Sequence, residues 1–458
     1  MTAMVAALSA RSRGDFFTAG RRAPWWVVAI AMVGAPMSGV TFVSVPGMVG
    51  TASMSYMQMV LGFFTGYLII AFVLTPVFFR KNIVSIYQYL EERFGASTHR
   101  TGAWFFFISK ILGASVRLFL LCATLQLMVY APLGLPFGLN VAVCIAIILV
   151  YTIRGGMKSV LWTDVLKTLF MVASIVLCIV YIAAGLGLDW RGTIDAVRGS
   201  EMSEVFFFDE PASPYYFWKQ FLSGVLLVIA MTGLDQDLMQ RTLTSRNARD
   251  SRKNMIVGGL MQVPVIFLFL CLGVLLYLFA ASRGIAESGD SLFPAVATGG
   301  YLPTAVGVLF VLGLVSCAFS AGGSALVALT TSFVADLAPS EAGPSDGSRR
   351  KWVHAALALV MGLCVYAFHL IDTKSAIDVV YRLASYTYGP ILGLFAFGLA
   401  CKKQVHDKWV PLVAILSPLV SLLLQWGASK AGYSFGYELI LVNALLTILG
   451  LCVLIKEK

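Results

Sequence analysis

Charge is what this sequence has least of. Only 12% of its 458 residues are Asp, Glu, Lys or Arg, about half the share of roughly 25% found in soluble domains. Histidine is scarce as well: His99, His354, His369 and His406 lie far apart, and nothing has the spacing of a zinc or haem site. The eight cysteines include no Cys-x-x-Cys pair and fall inside or at the ends of apolar segments, where they read as reduced, small packing residues. No nucleophile, base and orienting group stand at a recognisable spacing, which argues against an enzyme and against a bound cofactor. A net charge of +10 could indicate a nucleic-acid partner. The basic residues, however, sit in short gaps between apolar runs, so membrane topology explains them and nucleic acid is not needed.

What the sequence has instead is apolar length. Hydrophobic residues make up 59%, mean hydropathy is +0.85, and several runs reach the roughly 20 residues that a helix needs to cross about 30 Å of hydrocarbon. Apolar runs between polar gaps predict about twelve helices: Trp25 to Val45, Met57 to Phe79, Thr101 to Tyr130, Leu139 to Ile153, Val160 to Leu188, Tyr215 to Thr232, Met255 to Ala281, Pro303 to Leu337, Trp352 to Ile371, Ile377 to Ala400, Trp409 to Ala428 and Tyr437 to Ile455. The fold class is an all-α integral membrane protein whose main solvent is the lipid bilayer.

Lys and Arg concentrate in alternate connections, for example Arg80, Lys81, Arg93 and Arg100, then Arg241, Arg246, Arg249, Arg252 and Lys253, then Arg349, Arg350 and Lys351. The opposite set holds only Arg191, Arg198, Arg283, Lys374 and Lys430. Cytoplasmic loops retain positive charge, which predicts a plasma (inner) membrane protein with both ends of the chain cytoplasmic.

Helices one to five and six to ten recur at a similar offset along the chain, which indicates an internal repeat. Five spans carry the chain across the bilayer, so the second unit must enter upside down. The expected organisation is a cytoplasmic stub over 1–24; a first five-helix repeat over 25–188; an exterior loop over 189–214; an inverted repeat over 215–400; and two peripheral helices over 401–458.

Two features interrupt the apolar pattern where an inverted repeat would put its site. Span one contains Gly34-Ala35-Pro36-Met37-Ser38-Gly39, a natural break, or else an ordinary proline kink; span six has a weaker counterpart at Thr232-Gly233. Span eight carries a small-residue patch from Ser316 to Ser324, whose hydroxyls and carbonyls could hold a hard cation or simply let helices approach closely. Three of the charges inside spans call for explanation, since each costs about 2.5 to 3.5 kcal/mol at a helix centre: Asp164, Lys110 and Arg117. Lys110 and Arg117 share a helix face and could balance Asp164 or bind an anionic group. Ser38, Thr41, Gln58, Arg117 and Gln262 are the polar candidates for solute contact.

Several motifs together resemble the sodium:solute symporter family, which includes bacterial proline and sialic acid carriers and animal glucose cotransporters. They are Phe16-Phe17-Thr18-Ala19-Gly20-Arg21 with Trp25-Trp26; Ser38-Gly39-Val40-Thr41-Phe42 running to Pro46-Gly47; Tyr89-Leu90-Glu91-Glu92-Arg93-Phe94-Gly95; Gly155-Gly156 with Trp162-Thr163-Asp164; and Gly233-Leu234-Asp235-Gln236 with Gln240-Arg241. The resemblance implies a LeuT-like core and a principal sodium site formed by the carbonyls of Gly34, Met37 and Cys317 and the hydroxyl of Ser320. A second sodium site would use Asp164 with Ser320 and Ser324. One departure stands out: many relatives have two adjacent serines in span eight, whereas this chain has Ser320-Ala321.

The function implied is sodium-coupled symport of a small polar organic solute by alternating access, with sodium as the coupling ion. Proton-coupled or uncoupled transport on the same fold, and a transporter-derived membrane sensor, are the alternatives. The apolar stretch Val228-Ile229-Ala230-Met231 disfavours a glucose-like solute.

Overall fold

The computed structural model describes residues 23–81, 85–338, 347–370 and 376–456, with side chains at all of these except 128, 154–159, 163, 347 and 376–378. The Phe16 to Arg21 motif and nearly all of the 1–24 stub lie outside the described residues. Two isolated backbone bridges, Ala23 with Ser245 and Val405 with Ile455, are the only β pairing among the described residues.

Among the described residues, eight helices are long and apolar enough to cross a bilayer. They are α3 (Tyr56–Lys81), α4 (Ala96–Leu125), α6 (Val160–Gly185), α9 (Ala248–Arg283), α10 (Thr304–Leu337), α11 (Ser348–His369), α12 (Val379–Ala400) and α13 (Asp407–Lys430). Two further spans are bent pairs: α1 (Trp25–Gly34) with α2 (Gly39–Ala52), turned by 52°, and α7 (Phe217–Gly233) with α8 (Gln236–Leu243), turned by 68°. The shorter apolar helices α5 (Phe137–Ile153) and α14 (Leu439–Val453) complete the twelve expected segments. The breaks fall on the first and sixth spans, the first helix of each predicted repeat, as the inverted arrangement requires.

Each break is built from local chemistry. Pro36 lacks an N–H and Gly34 and Gly39 flank it, so the first span cannot continue its hydrogen-bond ladder. The chain restarts at Ser38, whose N–H donates to Thr41 Oγ1 at 3.3 Å while its carbonyl accepts from Phe42 N at 3.1 Å. Backbone groups freed inside the bilayer are thereby paired again. In the sixth span a wide turn closes with Leu234 N donating to Ile229 O at 2.9 Å. The Asp235 carboxylate then accepts from Asp237 N at 2.9 Å and Leu238 N at 3.2 Å, capping α8.

Side-chain volume decides which helices meet. Gly62 and Gly66 on α3 face α7: a Cβ on Gly62 would lie 2.1 Å from Phe221 O, and one on Gly224 would lie 2.1 Å from Met59 O. Only small residues allow that backbone approach. Phe42 on α2 is buried among Phe269, Phe293 and Phe310, which packs the restarted half of span one against α9 and α10. The peripheral helix α13 is tied in at its start. Asp407 accepts from Ser97 N at 2.9 Å and Thr98 N at 2.8 Å, so α4 begins at Ala96, earlier than its hydropathy indicates. Leu359 and Leu363 on α11 and Leu422 and Leu423 on α13 are exposed, as lipid-facing side chains are.

Candidate ion and solute site

The two breaks meet a cavity at the centre of the bundle. Ala35, Pro36 and Met37 from the first break and Thr232 and Asp235 from the second line it. α4 contributes Lys110 and Arg117, α9 contributes Gln262, α10 contributes Ala321 and Ser324, and α12 contributes Tyr381 and Tyr388.

Six buried charges run beside this cavity as a chain of ion pairs. Lys110 Nζ lies 3.0 Å from Asp235 Oδ2 and 2.9 Å from Asp237 Oδ2. Asp237 Oδ1 lies 2.6 Å from Arg241 Nη1, and Arg241 Nε lies 2.9 Å from Asp164 Oδ2. Lys167 Nζ stands 3.7 Å from Asp164 Oδ1. Hydroxyls complete the carboxylate shells: Tyr388 donates to Asp235 at 2.6 Å, Ser324 to Asp237 at 3.3 Å, and Ser320 to Asp164. Three cations thus balance three carboxylates, which is how charges persist at membrane depth.

Of the predicted principal sodium residues, Gly34 and Ser320 lie beside this chain. Gly34 ends α1 against α6, so closely that a Cβ would lie 2.0 Å from Thr168 Oγ1 and 3.3 Å from Asp164 O. Thr168 Oγ1 itself donates to Asp164 O at 2.7 Å and to Ile30 O at 3.2 Å, joining α6 to the last turn of α1. On the far side of the break, a Cβ on Gly39 would meet Leu314 Cδ1 at 2.9 Å and Ala318 at 3.6 Å, so α2 leans on α10. Met37 and Cys317 are both buried, and Ser320 reaches across to Asp164. The break therefore sits between α6 and α10, with Asp164 and Ser320 joined beside it.

The predicted second set is arranged differently. Asp164 and Ser320 are together, but Ser324 donates to Asp237 and to Ala321 O at 3.2 Å. Arg241 bridges the two carboxylates. The charge balance also differs from the sequence expectation: Lys110 pairs with Asp235 and Asp237, while Arg241 holds Asp164.

Of the solute candidates, Thr41, Arg117 and Gln262 line the cavity. Ser38 is buried at the start of α2 with its backbone tied to Thr41. Gln58 lies away from the cavity and clamps the exterior loop, donating to Tyr215 O at 2.9 Å and accepting from Phe207 N at 3.1 Å. Arg117 shares the cavity wall with Tyr381 and Tyr388 and has no carboxylate within ion-pair distance among the described residues. Two buried polar atoms in the cavity region, Tyr67 Oη and Gln262 Oε1, make no hydrogen bond of normal geometry.

Asp235, Asp237, Arg241 and Lys167 were missed as site residues. Arg241, counted among the loop charges, is 1% exposed, because the 68° turn after Gly233 folds the polar segment Gln236–Leu243 back into the bundle. The signals were present as spacings: Asp237 and Arg241 are an i, i+4 pair, and Asp164 and Lys167 an i, i+3 pair within an apolar run.

A helical membrane bundle whose first and sixth spans break beside a buried polar cavity defines the class of secondary transporters that work by alternating access. Residues 16–406 match the model of the sodium:solute symporter family, and the chain belongs to that family. Its relatives include the sodium/sialic acid symporter NanT of Aliivibrio fischeri, 23% identical over 96% of this chain and 87% of that protein. The sodium/glucose cotransporter of Vibrio parahaemolyticus is 24% identical over 86% of this chain and 76% of its own length. A solved structure of a substrate-bound, outward-open sodium-coupled sialic acid symporter superposes with a TM-score of 0.81 at 19% identity, covering 99% of this chain and 94% of that one, which shows a common fold. As a family member the chain is a secondary active transporter of the sodium-coupled symport class.

Proposed function

We propose that this protein imports a small organic anion, held through its carboxylate by Arg117, together with sodium. Of the two cations lining the cavity, Lys110 is locked between Asp235 and Asp237, whereas Arg117 has no carboxylate partner among the described residues. That single contrast carries the reading. A guanidinium in a site of low dielectric matches a carboxylate in charge and in bidentate geometry. Gln262 and Tyr67, neighbours of each other and of Thr232, hold buried oxygens that make no hydrogen bond of normal geometry and provide further polar groups for the rest of the solute.

Sodium would be coordinated by the carbonyls of Gly34, Met37 and Cys317 and the hydroxyl of Ser320, with Asp164 behind it supplying negative charge. Ser324 would serve the Asp237 end of the same network. Ion binding bridges the broken first span and α10 and so stabilises the form open to the outside; the solute then closes the cavity, and the repeats over 25–188 and 215–400 rock to expose it to the cytoplasm. The positive-inside distribution supports a cell-membrane location with both ends of this chain cytoplasmic.

The test is a thermal-shift and uptake screen of small carboxylates against their neutral amides, with sodium and with choline. Carboxylates should stabilise the protein in sodium, and Arg117→Gln should weaken that effect at least about tenfold. Equal stabilisation of the unchanged protein by an acid and its amide would overturn the assignment.

A further inference from the structure

Asp164 is doubly served. Arg241 Nε holds one carboxylate oxygen at 2.9 Å, and Ser320 donates to the other. A third partner, Lys167, points its ammonium at that second oxygen from 3.7 Å, on the same helix face one turn along. Lys167 is 2% exposed, and its Nζ makes no hydrogen bond among the described residues.

A buried ammonium that satisfies none of its three donors is costly. A lysine in an apolar helix ordinarily avoids that cost by reaching toward water or by completing a close ion pair. Lys167 does neither. Lys167 sits on α6, and its neighbour Asp164 is the carboxylate to which Ser320 of α10 donates. On α10, moreover, the position after Ser320 is Ala321, which offers no hydroxyl. The surroundings of the proposed ion thus hold, besides Arg241, an ammonium without a hydrogen bond, and no oxygen at 321.

We propose that Lys167 sets the sodium affinity of this site: its ammonium is a tethered cation beside Asp164 and Ser320 that competes with the incoming ion. The inference rests on the sodium site proposed above and adds a competitor to it. The six paired charges around the site already sum to zero, so an incoming sodium makes the region net positive while Lys167 remains. At a separation of a few ångströms and an effective dielectric near 20, such a like charge weakens ion binding by roughly two to three orders of magnitude. Displacement of the flexible lysine stem relieves part of that repulsion, which leaves a sodium affinity that is low and governed by residue 167.

The experiment measures sodium-induced thermal stabilisation of the purified full chain, with choline held at matching ionic strength, for the unchanged protein, Lys167→Gln and Lys167→Met. Ser320→Ala is made in each background. The neutral variants should reach half-maximal stabilisation at a sodium concentration at least about tenfold lower, and Ser320→Ala should remove the gain. A sodium response in a neutral variant where the unchanged protein shows none is the same result in its limiting form. Equal midpoints in all three proteins overturn the role of Lys167 and leave the sodium site standing. No sodium response in any of them overturns the site and the inference together. Should neither variant fold, reductive methylation of Lys167 in the unchanged protein, read by mass spectrometry, must rise with sodium; labelling indifferent to sodium overturns the proposal.

Discussion

Arg241 Nε lies 2.9 Å from Asp164 Oδ2, and the two side chains are 1% and 0% exposed, although they are 77 positions apart in sequence. This contact fastens the folded-back segment of the sixth span to α6, beside the break in the first. It joins the two halves of the molecule at the place where the ion is proposed to sit.

Arg241→Met removes the charge that holds both Asp164 and Asp237. Breaking a buried pair by deleting one partner costs about 3–5 kcal/mol, so the variant should unfold at markedly lower denaturant in detergent. Asp164→Asn combined with Arg241→Met should lose less than the sum of the two single changes, because the pair is coupled. Strict additivity would show that the contact contributes no coupling.

Gly34→Ala places a methyl 2.0 Å from Thr168 Oγ1, which neither helix can accommodate without shifting. The variant should lose most transport. Thr168→Ala removes the obstructing oxygen, so the double variant should recover a substantial part of the lost uptake. A fully active Gly34→Ala protein would show that α1 and α6 are not held at this spacing during the cycle.

Tyr67 Oη is buried without a hydrogen bond of normal geometry. Tyr67→Phe should therefore change stability by less than about 1 kcal/mol, since only contacts of poor geometry to Thr232 and Gln262 are lost. Solute affinity should fall several-fold if that hydroxyl serves the solute. An unchanged KM together with a clear loss of stability would assign it a structural role instead.

Much of the architecture was legible because the bilayer imposes a length. Runs near 20 residues located the spans, and Gly34-Ala35-Pro36 marked the first break through chemistry that depends on those residues alone. The second break was harder to see. Thr232-Gly233 is a weak signal, and the polar segment after it reads as a loop until the 68° turn returns it to the interior. For the same reason Arg241 was grouped with loop arginines, Asp235 was noticed only as part of a motif, and Asp237 was not noticed at all. Whether a charge faces water or a partner depends on contacts made across 77 residues for Asp164 and Arg241 and 125 for Lys110 and Asp235, which no local window contains. Gln58 illustrates the opposite case. A polar residue near a helix start suggested solute contact, but its amide is spent on the backbone of Phe207 and Tyr215.

The most direct measurement is sodium-driven uptake into proteoliposomes by the unchanged protein, Ser320→Ala and Ala321→Ser. Uptake should require an inward sodium gradient and cease when choline replaces sodium. Ser320→Ala should raise the half-saturating sodium concentration at least about tenfold, and Ala321→Ser, by adding an oxygen ligand, should lower it. Identical sodium dependence in all three proteins, or uptake undiminished in choline, would contradict an ion held between the broken first span and α10.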